Sequence, residues 1–96
     1  MSAYAIFIRD NTIDQQELDT YSVMAGKARG DHPITALVAY GDIEVLEGQN
    51  AEGVVLLEFP TMEDARAWYN SPAYQEAKAQ RMKGANYRVL LVQGIA

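Results

Sequence analysis

Ninety-six residues hold one hydrophobic core and leave no room for a second, so a single domain spanning 1–96 is expected. Eight basic residues against thirteen acidic ones give a net charge of −5, which argues against nucleic acid as a partner and against a polybasic membrane contact. The absence of cysteine removes disulfides, thiolate metal sites and thiol nucleophiles. Apolar runs fall far short of the ~20 residues that a membrane span needs. Met1-Ser2-Ala3-Tyr4 is not a basic region followed by an apolar run, so a cytoplasmic location is expected.

Ala3 to Arg9 reads as a strand, with Tyr4, Ile6 and Ile8 on one face and Ala5, Phe7 and Arg9 on the other. Asp10-Asn11-Thr12 is turn material. A helix is expected from about Asp14 to Arg29, with Leu18, Tyr21, Ala25 and Ala28 as its buried stripe and Gly30 just past its end. After the loop Gly30-Asp31-His32-Pro33, Ile34 to Tyr40 forms a second strand. Gly41-Asp42 interrupts it as a bulge or bend, and Ile43 to Leu46 continues it. Gly48 to Gly53 turns the chain into a third strand, Val54 to Phe59, apolar on both faces except at Glu58. Thr61 caps a short helix whose inward face is Ala65, Trp68 and Tyr69. Ser71-Pro72 breaks and restarts it. The restarted helix carries Tyr74, Ala77, Lys78 and Arg81 on one side and stops at Gly84, and Tyr87 to Val92 is the last strand.

The order βαββαβ makes this an α+β chain of ferredoxin-like type, with a four-stranded antiparallel sheet. Both helical segments cover one face of such a sheet. The third and fourth strands are apolar on both faces, so the bare face calls for a second copy, and a homodimer is expected.

Glu47-Gly48, Glu58-Phe59-Pro60, Ala65, Trp68-Tyr69, Ser71-Pro72, Tyr74-Gln75, Arg81, Ala85 and Leu91-Val92-Gln93-Gly94 occur in an order that resembles the small bacterial family called domain of unknown function 1330. The resemblance runs from Tyr4 to Gly94 and is most specific between Glu58 and Arg81. It implies a dimeric α/β barrel, in which two ferredoxin-like sheets face each other. It also implies kinship in fold with small monooxygenases, muconolactone isomerases and haem-binding dismutases. Fold kinship does not carry chemistry across. Relatives usually place paired glycines and a basic residue before the second strand, where this chain has Asp31-His32-Pro33-Ile34-Thr35.

Trp68, Tyr69 and Tyr74 are candidate walls of an apolar ligand pocket, with Arg81 as the anchor for a carboxylate or enolate. The plainer account packs the rings on the sheet and pairs Arg81 with Glu47 or Glu58. Those two glutamates, at the ends of neighbouring strands, are candidates for a general acid and base, since paired carboxylates raise one another's pKa. Structural pairing with Arg9, Arg66 or Arg81 is the commoner role for such residues. His32, the only histidine, is a candidate ligand contact beside Asp31, although its loop setting suits a solvated side chain. No metal site and no cofactor motif are expected. Three functions remain in view: a cofactor-free enzyme or isomerase acting on a small acidic or aromatic metabolite, a non-catalytic small-molecule binding module, and a structural dimer.

Overall fold

The computed structural model of the protein describes residues 1–95. Its elements are β1 (Ala3–Thr12), α1 (Gln15–Ala28), β2 (Thr35–Ala39), β3 (Gly53–Phe59), α2 (Met62–Tyr69), α3 (Pro72–Gly84) and β4 (Ala85–Gln93). The strands form one antiparallel sheet in the order β2-β3-β1-β4, the ferredoxin-like arrangement that the βαββαβ order implies. Within one chain this sheet is open; it is not a closed barrel.

Each helix starts where a side-chain oxygen takes an otherwise orphaned amide. Asp14 accepts from the Gln16 N–H at 3.0 Å. Thr61 Oγ1 accepts from the Asp64 N–H at 3.0 Å and donates to the Asp64 carboxylate, also at 3.0 Å. Ser71 caps α3, with Pro72 at its first position. Thr61→Ala removes one acceptor from an exposed first turn and is expected to lower unfolding free energy by about 1 kcal/mol in a urea titration. An unchanged midpoint would show that the cap carries no stability.

The core lies between the sheet and the three helices. Ala3, Ala5 and Phe7 of β1 and Phe59 of β3 face it, and Ala65, Trp68, Tyr74 and Ala77 close it from α2 and α3. Register fixes which residues share the other face. Val38 pairs with Leu56, Leu56 with Ile6, and Ile6 with Leu90, so four aliphatic side chains cross the whole sheet in one row. Ile8, Val54 and Val92 flank the row. Beyond it along the strands stands one polar pair on each side: Tyr4 donates to Glu58 at 3.2 Å, and Arg88 grips both Asp10 oxygens at 2.8 to 3.2 Å. No helix covers this face.

Several strand boundaries differ from the expectation. Ile43–Leu46 is not a continuation of β2 but part of an exposed loop, in which Leu46 is 82% exposed. The cause lies at Tyr40, whose φ of 56° is left-handed and turns the chain off the sheet after its last backbone bond to β3. The irregularity in β2 falls between Ala36 and Val38, not at Gly41-Asp42. β1 and β4 are longer than their apolar runs. Beyond a register shift after Arg9 the ladder resumes through Asn11–Asn86 and Thr12–Ala85, so polar residues expected in turns are held in strands.

Candidate functional site

α1 leans on α3 more than on the sheet. The Ile13 and Asp14 amides both donate to the Gly84 carbonyl, at 2.7 and 3.0 Å, and fix the start of α1 to the end of α3. Leu18 packs so closely on Gly84 that a Cβ there would lie 2.8 Å from its side chain. Further along, Ala25 and Gly26 of α1 face Ala39 of β2, and side chains this small cannot fill the gap. The result is a cleft of about 390 Å³ between α1 and the helix-facing side of β1, β3 and β2. Its size suits a small organic ligand.

Aromatic rings and two arginines are prominent among the residues that border the cleft. Phe7, Trp68, Tyr21, Tyr40 and Tyr87 border it, with Arg9 and Arg29 among the charged residues. Tyr40 reaches it through its left-handed backbone, and its ring lies over Gly53, where a Cβ would come within 2.6 Å of the ring. A non-glycine residue held at positive φ is costly, and such strain concentrates at functional sites. The Tyr40 hydroxyl is 2.7 Å from that of Tyr87, and the Tyr21 hydroxyl is 2.8 Å from that of Tyr74. Burial pushes the Tyr21 phenol far above its usual pKa, with Tyr74 adding to the effect and Arg81 opposing it. Burial also raises Tyr40, helped by the bond to Tyr87. Burial raises Tyr74 too, against the pull of Tyr21 and Arg81. At neutral pH these hydroxyls are therefore neutral and can donate.

Arg81 is 4% exposed. Its guanidinium lies 5.1 Å from the centre of the Tyr87 ring and 5.7 Å from that of Phe7, so it rests on two rings that border the cleft. The expected pairing with Glu47 or Glu58 is not found. The ion pairs among the described residues are Arg9–Glu52 at 3.6 Å and Arg88–Asp10 at 2.8 Å. Strand alternation is the reason: Glu58 precedes the core-facing Phe59, so it projects to the opposite face of the sheet and meets Tyr4. Glu47 is exposed in the loop that follows Tyr40.

Of the aromatic candidates, Trp68 borders the cleft. Tyr74 lies behind it, with its ring centre 4.3 Å from that of Trp68, and reaches the cleft only through its bond to Tyr21. Tyr69 packs on Tyr74 under Lys78, away from the cleft. His32 sits in the turn after α1, where its backbone is bonded to Arg29 and Ile34, and it does not border the cleft. Among the described residues no three His, Asp or Glu side chains gather as a metal site would need. Arg9, Tyr21, Tyr40 and Tyr87 were not among the residues expected here. Their signal was available in part, since Arg9 shares a strand face with Phe7, and Tyr87 stands across from Arg9 in the ladder.

With the geometry in hand, comparison with known proteins places the chain. The sequence model of a domain of unknown function, DUF1330, matches residues 2–95. The chain belongs to this family. No curated protein matches it. It is similar in structure to a dimeric ferredoxin-like protein of unknown function from Jannaschia sp. CCS1, with a TM-score of 0.78 at 10% identity over 98% of this chain and 100% of that one. RPA0582, a protein of unknown function from Rhodopseudomonas palustris, superposes with a TM-score of 0.75 at 13% identity, covering 99% of this chain and 83% of that one. SnoaB, a cofactor-independent oxygenase from Streptomyces nogalater, does so with a TM-score of 0.63 at 8% identity, over 99% and 93%. At these identities the likeness shows the fold. No helix among the described residues of this DUF1330 member is long and apolar enough to cross a membrane.

Proposed function

We propose that this DUF1330 protein is a homodimeric small-molecule binding protein, with one ligand cleft per subunit between α1 and the sheet. The observation that carries the reading is the aromatic cleft of about 390 Å³, bordered by Trp68, Phe7 and three tyrosines. A domain of this size has little apolar surface to spare, and a wall of large rings around an unfilled space serves a ligand better than it serves stability. The dimer is supported by the bare aliphatic row Val38–Leu56–Ile6–Leu90, rimmed by polar pairs, which is the anatomy of a protein interface. The dimeric description of the Jannaschia protein supports it as well. The acidic, cysteine-free composition supports a cytoplasmic location.

Binding is favoured over acid–base catalysis by carboxylates, because Glu58 faces away from the cleft and Glu47 stands outside it. One observation keeps an enzymatic reading alongside. The hydroxyl pairs Tyr40–Tyr87 and Tyr21–Tyr74 each have an O–H to spare, a group of the kind that steadies a developing oxyanion. The likeness in fold to SnoaB, a cofactor-independent oxygenase, supports keeping that reading.

A thermal-shift screen against aromatic acids and alcohols, lactones, haem and divalent metals tests the binding reading, since a ligand of the folded state raises Tm by mass action. An aromatic compound that raises Tm in the native protein but not in a cleft-filling Ala25→Trp variant is the expected result. Shifts that persist unchanged in Ala25→Trp would move the site elsewhere, and no shift with any compound would remove the reading.

A further inference from the structure

The polar atoms around the cleft are unbalanced. Among the described residues, the buried side-chain nitrogens or oxygens with no hydrogen-bond partner are Arg9 Nε, Trp68 Nε1 and Arg81 Nε. All three are N–H donors. Two belong to residues bordering the cleft, and the third belongs to the guanidinium that rests on the Phe7 and Tyr87 rings. Trp68 and Arg81 are each only 4% exposed, so water does not readily serve them from outside. Each tyrosine pair adds to the excess. Two hydroxyls sharing one hydrogen bond use one proton, so Tyr40–Tyr87 and Tyr21–Tyr74 each retain a second O–H to give.

Acceptors are scarce on the same wall. Asp19 borders the cleft, but it is exposed on α1 and accepts from Gln15 at 3.0 Å. Glu52 offsets Arg9 from outside the cleft, at 3.6 Å, and also accepts from Thr12 at 2.7 Å. Arg29 is committed to the Ile34 carbonyl. Arg81 has the faces of two rings and no carboxylate. A buried donor without an acceptor is costly, and a buried cation without an anion is more so. A cleft bordered by two arginines and by tyrosine hydroxyls, with Asp19 as its one carboxylate, is complementary to an acceptor that carries negative charge.

We propose that the ligand is a small aromatic carboxylate, its ring against Phe7 and Trp68 and its carboxylate turned to the Arg9 and Tyr40–Tyr87 side, with Arg81 as the fixed positive charge behind. This rests on the cleft being a binding site and adds the charge and hydrogen-bonding character of what it holds. Arg9 is the adjustable part. It is partly exposed and already half-engaged by Glu52, so a bound carboxylate competes with Glu52 for the same guanidinium.

Calorimetric titration of the purified protein with 2-naphthoate and its neutral isostere 2-naphthamide tests the proposal. The acid is expected to bind about tenfold more tightly than the amide, as charge-assisted bonds exceed neutral ones. Glu52→Gln frees Arg9, and is expected to tighten the acid severalfold while leaving the amide unchanged. Arg9→Gln is expected to abolish the preference. If amide and acid bind equally in all three proteins, the cleft remains a binding site but the assignment of an anion is overturned. If the acid is preferred and Glu52→Gln weakens it, the carboxylate is not at Arg9 and the proposal fails. If neither probe binds, the aromatic-carboxylate assignment fails, while the binding reading stands or falls with the thermal-shift screen.

Discussion

Trp68→Ala is expected to cost about 3–5 kcal/mol of unfolding free energy, the largest single loss in the domain. Trp68 is the point where the core and the cleft meet. Its ring centre lies 4.3 Å from that of Tyr74, 5.4 Å from Phe59, 6.1 Å from Phe7 and 6.3 Å from Tyr69, so it joins α2 to α3, β3 and β1 at once. Truncation leaves four rings without a common neighbour, and their rigidity limits how far they can collapse into the space. The expected loss is a large share of what a 96-residue domain possesses, about 5–15 kcal/mol. Circular dichroism followed through a urea titration measures it. A cost below about 1 kcal/mol would mean that the aromatic cluster contributes little to stability and that its rings are held for the ligand alone.

Leu56→Lys is expected to convert the proposed homodimer to a monomer without unfolding it. Leu56 stands in the middle of the aliphatic row, in register with Val38 on one side and Ile6 on the other. Within one chain its side chain projects from the face that no helix covers, so a lysine there points to solvent. In a face-to-face dimer the same lysine, with its symmetry mate, is buried against hydrocarbon, and an unpaired buried charge costs several kcal/mol. Each 1.4 kcal/mol weakens association tenfold, so the dissociation constant rises by about two orders of magnitude or more. Sedimentation of the native protein should give twice the 10.6 kDa chain mass, and the variant should give the chain mass. A variant that stays dimeric would place the interface elsewhere, with the exposed Leu37 edge and the Ile43–Leu46 loop as the next surface to examine.

The fold was legible because its signals are local or periodic. Alternation in Tyr4-Ala5-Ile6-Phe7 set the two faces of β1, Thr61 and Ser71-Pro72 marked helix starts, and Gly84 marked an end. The placement of Tyr74, Ala77 and Arg81 on one buried helix face followed from spacing in the same way. The cleft was not legible to the same degree, because it depends on distances between elements. Tyr21 and Ala25 read as part of the buried stripe of α1. They are only half-buried because α1 is tied to Gly84 and stands off the strands. Tyr40 reads as the end of a strand. Its left-handed φ, which brings its hydroxyl to Tyr87, has no signature in a chain that offers Gly41 as the more obvious turn residue. Glu58 was rightly placed on a strand face with Val54 and Leu56, but pairing it with Arg81 required those two residues to lie on the same side of the sheet. Alternation from Phe59 already put them on opposite sides.

The sole tryptophan gives the most direct view of the cleft. A ¹⁵N-labelled sample shows one indole N–H resonance, from a residue that borders the cleft and whose buried ring nitrogen has no acceptor among the described residues. On titration with the compound that gives the largest thermal shift, that resonance is expected to move, together with the amides of Phe7, Tyr40 and Tyr87. The methyl signals of Leu56 and Leu90 on the opposite face are expected to stay fixed. A compound that raises Tm while the Trp68 indole stays still and the Leu56 and Leu90 methyls move would place binding on the open sheet face and contradict the cleft.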